Sequence, residues 1–302
     1  MTKGGCQEAS GGFTIVETMI VLAVTGMLFV SAALAINGRQ NKTEFTTAIN
    51  ALQQQLQQVI NETSSGYYPN NGTFTCKGDI TGTGPVTFSN TANQQGANGG
   101  CIFMGKAIQF GLDTGTNAST LGILPLVGNQ YLPGSFDPIL TVTDARPRAA
   151  SPGNGESGIP DTSTTEFMQN GLTVATSNGD CGVGLGGICY TDSTSGTKQA
   201  TGIVAFVSGD GKGNITSNDT SGNLQPGSQQ LSLYGVASST PNKSLAQAST
   251  YIGGTTTPYV SQLKASSSAS ICIASATTNQ SGLFTIDSGL HVTLTIKGGT
   301  VC

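Results

Sequence analysis

Five sets of residues in this chain are of types and spacings that could do chemistry. Glu17 stands near the start of an apolar run, SGGFTIVETMIVLAV over residues 10–24. A carboxylate in a hydrocarbon layer costs a few kcal/mol even on lenient insertion scales, so it needs a partner. Gly182, Gly184 and Gly187 in CGVGLGGIC have the spacing of a dinucleotide-binding loop. Such a loop needs a strand before it, a helix after it and an acid about 20 residues on. Here a Cys stands at each end and no helical pattern follows, which favours a disulfide-closed glycine loop. Asp210, Asn214, Asn218 and Asp219 in SGDGKGNITSND offer oxygen ligands of the kind calcium takes. The EF-hand's first Asp and terminal Glu are missing, and a β-turn explains Asp-Gly and Gly-Asn without a metal. His291 is the one histidine and so the one candidate base for Ser/His-type catalysis. In HVTLTI it falls on the polar side of an alternating strand and reads as a surface residue. The last set is seven cysteines, at positions 6, 76, 101, 181, 189, 272 and 302, with no CxxC among them. One histidine and that spacing make a poor metal site.

Composition limits what must position these residues. Of 302 residues, 43 are Gly, about twice the ordinary share near 7%. Charged residues make up 9% and apolar ones 36%, and Ser, Thr, Asn and Gln fill the rest. That profile suits a loop-rich, β-leaning extracellular surface better than a cytosolic enzyme. The net charge is −4 and no four basic residues adjoin, so nothing is built to neutralise phosphates and no nucleic-acid partner is expected.

From Met19 to Ile36 the chain carries no formal charge, and Phe13, Ile15 and Val16 extend the apolar run. At 1.5 Å per residue this is enough to cross a bilayer. One reading is a secretory signal peptide, since Ala33-Leu34-Ala35 has the small-x-small form of a cleavage site. Against it stand the length of the apolar run, Glu17 at its head, and a leading segment offering only Lys3, offset by Glu8. A plain anchor is the second reading. Arg39 and Lys42 follow the span and set no clear orientation. Neither accounts for Glu17.

A third reading does. Gly11-Gly12, then Phe-Thr-Ile-Val-Glu, a long apolar helix and a polar amphipathic extension closely resemble the N-terminus of type IV pilins and pseudopilins. The resemblance covers some 50 residues. It implies a prepilin leader over residues 1–12, with Gly12 the residue before the cut by a prepilin peptidase. Phe13 would then be the N-methylated N-terminus, and Glu17 the assembly residue that neutralises the N-terminal amine of a neighbouring subunit. The physics agrees, because positions i and i+4 share a helix face and the pair would relieve most of the burial cost of each charge.

The fold expected is α+β: a long N-terminal helix over 13–62, membrane-spanning over about 15–36 and amphipathic over 37–62, packed on a β-rich, loop-rich, disulfide-bonded head over 63–302. In the second half of the helix Phe45, Ala48, Ile49, Leu52, Leu56, Val59 and Ile60 recur at intervals of three and four and draw one apolar stripe. Gly66 is the expected stop. The segments TGIVAFVSGDGKGNITS, QQLSLYGVA, SASICIASAT and GLFTIDSGLHVTLTIKGGTVC read as strand-like, with a hairpin turn at Asp287-Ser-Gly289. Residues 141–180, rich in Pro, Gly, Ser and Thr, read as a long exposed loop. Removing the leader removes Cys6 and leaves six cysteines in the part that would face an oxidising exterior. Six admit 15 pairings. Joining sequence neighbours is the simplest: Cys76–Cys101, Cys181–Cys189 and Cys272–Cys302, the last resembling the disulfide-bounded C-terminal region of many pilins.

The resemblance implies a structural protein that needs no cofactor and is not an enzyme. Its partners would be other pilin subunits in a helical homopolymer, the prepilin peptidase, the inner-membrane assembly machinery and the membrane. It would be a single-pass cytoplasmic membrane protein with its head outside, then part of an extracellular filament. A minor or tip pilin whose head binds a surface or cell receptor, and a type II secretion pseudopilin, are the alternatives. N-terminal sequencing of the processed chain is expected to begin at N-methylated Phe13. Gly12→Val should leave uncut precursor, because the peptidase must approach a backbone with no side chain. A start at Ile36 would instead mark signal-peptide cleavage.

Overall fold

The computed structural model describes residues 14–66, 75–78, 86–89, 101–111, 119–132, 137, 139, 141–152, 161–175, 177–179, 181, 187–208, 231–237, 244–253, 255–256, 259–260, 262–275 and 277–302. The leader, Gly12, Phe13, Gly182 and Gly184 of the glycine-rich segment, and the calcium candidates Asp210, Asn214, Asn218 and Asp219 lie outside these residues. One helix, α1 (Ile15–Ser64), opens the described chain. No proline interrupts it, and Gly66, at φ 68°, ends it in the left-handed conformation while its N–H bonds to the Thr63 carbonyl. The chain divides at Glu44/Phe45 into two compact units.

In the first unit, Ile15–Leu34 has a mean hydropathy of 2.1 and no buried residue, and is long and apolar enough to cross a membrane. Its hydroxyls are satisfied internally. Thr18 donates to the Ile15 carbonyl, Thr25 to that of Val21 and Ser31 to that of Leu28, each at 2.8–2.9 Å. Back-bonding of this kind lets polar side chains sit in an apolar stretch without orphaned groups.

The second unit is built on antiparallel strands. Two short ones, β1 (Thr75–Lys77) and β2 (Thr87–Ser89), pair with each other. Then come β3 (Cys101–Phe110), β4 (Thr120–Asn129), a one-turn helix α2 (Val142–Ala145), β5 (Arg148–Ala149), β6 (Thr164–Phe167) and β7 (Leu172–Val174). They are followed by β8 (Ile188–Asp192), β9 (Lys198–Ala200), β10 (Ile203–Ser208), β11 (Leu231–Val236) and a helix α3 (Leu245–Gly253). A two-residue pair, β12 (Thr255–Thr256) and β13 (Tyr259–Val260), precedes the long β14 (Leu263–Ser275), β15 (Gln280–Asp287) and β16 (Val292–Gly298). The main sheet runs β16-β15-β14-β11-β10-β3-β4-β5, with β6 also on β4, β7 and β8 on β14, and β9 on β8. The long strand β14 takes β15 along one edge. Its first residues, Leu263–Ser266, pair with β11, and opposite β15 it meets β8 and then β7, with a register shift between Ser266 and Ser268 on the β8 side.

This sheet is the middle layer of three. Along β10, Val204 and Phe206 face one apolar cluster while Ile203, Ala205 and Val207 face another, as period-two alternation requires. The first cluster holds the whole predicted stripe of α1, from Phe45 to Ile60, each residue 5% exposed or less. The second holds Val142 and Ala145 of α2 and Ala248 and Ile252 of α3. Strands covered on both faces read as continuous apolar runs, hence IVAFVS and LSLYGV. The outer β16 is half-covered: Val292 and Leu294 pack on the first cluster, and Thr293 and Thr295 are exposed. Gln53 of α1 donates to the Val292 carbonyl at 2.9 Å, tying helix to outer strand.

Close approaches fix the positions of two glycines. A Cβ on Gly235 would lie 2.3 Å from the Tyr190 ring, and one on Gly105, at the β3 bulge, 1.9 Å from the Phe206 carbonyl oxygen. Tyr190 is pressed into that contact. Burial pushes its phenol up to about 12, and its hydroxyl donates to Gln199 Oε1 at 2.8 Å.

The stretch 141–180 is not the long exposed loop its composition predicts. It contributes α2, β5, β6 and β7, and buries Val142, Ala145, Ala149, Ala150, Met168, Leu172 and Ala175. Thr141 caps α2, accepting from the Asp144 backbone N–H, and Ser249 of α3 donates to the Ser151 carbonyl at 2.7 Å. Local propensity favoured a loop here; packing against β4 and α3 overrides it.

Three disulfides brace the unit: Cys76–Cys101, Cys181–Cys189 and Cys272–Cys302, closing 25, 8 and 30 residues of sequence. In the loop-entropy model the longest contributes about 3–4 kcal/mol and the shortest about 1 kcal/mol less. Cys302→Ser is therefore expected to lower the melting temperature of the full chain more than Cys189→Ser does, read by calorimetry without reductant. Equal or reversed losses would show that loop length does not govern the effect.

Candidate functional site

The backbone at the head of the apolar helix has a local partner. Thr14 precedes α1, and its hydroxyl accepts from the Glu17 backbone N–H at 3.3 Å, while the Thr18 N–H bonds to its carbonyl. Thr14-Ile-Val-Glu17 has the sequence of a capping box, a hydroxyl at the N-cap and a carboxylate three residues on, of which the Thr14 half is formed. The S/T-x-x-E pattern was present in the sequence and accounts for the Thr14 cap, which the apolar run alone does not reveal. A carboxylate here also complements the positive end of the helix dipole. Glu17 itself is exposed, among exposed apolar neighbours.

A second charged feature lies in the other unit. Lys106, on β3, is 4% exposed. Its Nζ lies 2.5 Å from Glu62 Oε2, on the last turns of α1. Glu62 Oε1 accepts from Gln58 Nε2 at 2.7 Å. The Lys106 bond, then that of Gln58, holds the Glu62 carboxyl below its ordinary value, against a smaller opposing effect of burial. The pair bolts the end of α1 to the sheet. Sequence periodicity did not find it, because it joins residues 44 positions apart on different elements.

The remaining sequence candidates are dispersed. Cys181 and Cys189 close the glycine-rich segment, and strand β8 follows it where a dinucleotide loop requires a helix. Gly187 is set by packing: a Cβ there would lie 2.5 Å from the Ala175 carbonyl oxygen. His291 stands at the β15–β16 turn with its side chain 79% exposed, and its Nδ1 is 3.3 Å from Asp287 Oδ2. The His291 backbone N–H, donating at 2.9 Å, is the main cause that lowers the Asp287 carboxyl. No hydroxyl bonds the His291 ring among the described residues. Nor do the described residues contain a group of three or more His, Cys, Asp or Glu placed to hold a metal. No family model, curated protein or solved structure matches this chain.

The Glu62 pair sets an acid limit. Because its folded-state carboxyl titrates below the unfolded one, its stabilisation is present above about pH 4.5 and is lost as pH falls through the folded value. Glu62→Gln should cost about 1–2 kcal/mol at pH 7, less than for a fully buried pair because Glu62 is about one-third exposed. It should also flatten the loss of stability on acidification. Chemical denaturation at pH 7 and pH 3.5 measures both; a Glu62→Gln chain that matches the parent at both would exclude the pair as a stabiliser.

Proposed function

We propose that this chain is the structural subunit of a type IV pilus-like filament, cut after Gly12 and polymerised through its N-terminal helix. The observation that carries the reading is one element with two surfaces. Residues 15–34 of α1 expose every apolar side chain, whereas Phe45 to Ile60 are buried in the head's core. A long apolar segment with no buried residue calls for lipid or for other copies of itself. Glu17, four residues after the new amine, makes copies of itself the better partner in the assembled state. In the membrane the carboxylate near the helix start can reach the interface. In a filament core it needs an opposite charge, and the amine of a neighbour supplies one at a defined axial step.

The capping geometry makes the decisive substitution specific. Gln occupies the third position of a capping box as Glu does, but has no charge. Glu17→Gln should therefore insert, be cut and fold normally, yet yield few or no filaments when it is the sole subunit. Glu17→Ala should behave the same way with a slightly weaker helix start. Electron microscopy and shear fractions of cells expressing each variant read this out. Filaments of ordinary length and number from Glu17→Gln would overturn the pairing.

A further inference from the structure

In the second unit, the last turns of α1 and strands β3, β4 and β6 line an open pocket of about 260 Å³. Leu56, Val59, Ile108 and Ile123 supply apolar wall, and the charged groups on its lining are Glu62, Lys106 and Glu166. Two of the three cancel. Lys106 Nζ is held on Glu62 at 2.5 Å, and the other Glu62 oxygen accepts from Gln58. The side chain of Glu166, half-buried on β6, makes no hydrogen bond or ion pair among the described residues. The lining thus carries one uncompensated negative charge beside an aliphatic surface.

That combination selects its ligand by chemistry. An anion would meet Glu166 and find Lys106 already paired. A bare divalent cation wants six or more oxygen ligands and gains nothing from aliphatic walls. A cation with an apolar body satisfies both parts, its ammonium on Glu166 and its hydrocarbon on Leu56, Val59, Ile108 and Ile123. The Thr164 hydroxyl, also on the lining, offers an acceptor for a second N–H. The volume lies just below the roughly 300–1,000 Å³ of drug-sized ligand pockets, which sets the size at a small molecule. We infer that this pocket binds a small primary aryl- or alkylammonium through Glu166. The site lies wholly in the second unit and does not depend on whether the chain polymerises.

Ligand-observed NMR titration tests this on the full chain in non-ionic detergent, with the protein-free micelle as blank. The probe is phenethylamine at pH 7, with 2-phenylethanol as its neutral analogue and phenylacetate as its anionic one. Saturable binding of the amine is expected, with the alcohol weaker on the order of tenfold and the acid weaker still. Glu166→Gln, a change at a partly solvated strand position that should leave the fold intact, is expected to weaken the amine on the order of tenfold and leave the alcohol unchanged. No saturable binding above the micelle blank, equal affinity for amine and alcohol, or undiminished amine binding by Glu166→Gln would each overturn the assignment.

Discussion

The structure depends on the burial of one stripe of α1 against one face of the sheet. Phe45, Ile49, Leu52, Leu56, Val59 and Ile60 are each removed from water, at about 1.5–3 kcal/mol per side chain relative to exposure. The sheet needs them as much as they need it. β10 and β11 are apolar on both sides, so one bare face would leave Val204, Phe206 and Leu233 in water. The second half of the helix is therefore part of the head's core. Because the same helix continues in sequence into Ile15–Leu34, the head and the membrane-length segment share one backbone element.

With few charges available, the head satisfies its polar groups mostly with neutral partners. Asn178, 1% exposed, donates to the Gly187 carbonyl and to Ser270, stitching the glycine-rich segment to β14. Thr201, fully buried, has its hydroxyl within 3.0 Å of the Ile203 and Val236 carbonyls. Such bonds contribute about 1 kcal/mol each and leave buried groups paired, which is what a Ser/Thr-rich core requires. The disulfides act on the unfolded chain instead, and two of them bear on the edges of the fold. Cys272–Cys302 holds the segment after β16 to β14, and Cys76–Cys101 ties the small β1–β2 pair to the start of β3. The Lys106–Glu62 pair adds a charged contact where the end of the helix meets the sheet.

Sequence alone determined the features whose signal is local and periodic. The apolar run of α1, its buried stripe at intervals of three and four, the stop at Gly66 and the alternation of β16 are each set by side chains a few positions apart. The strands β10, β11, β14 and β15 were legible for the same reason, being continuous or alternating apolar runs bounded by turn residues. The count of six cysteines outside the proposed leader was also readable, but which of the 15 pairings forms was a property of the folded chain. Tertiary structure decided the rest, because the interactions concerned join residues far apart in sequence. It turned 141–180 from a polar loop into strands and a helical turn, since small residues there fill space against β4 and α3 that no local propensity records. It gave β14 four partners, β11, β15, β8 and β7. It brought Glu62 to Lys106 and left Glu166 beside them without a counter-charge, an electrostatic arrangement that exists only once α1, β3, β4 and β6 have met.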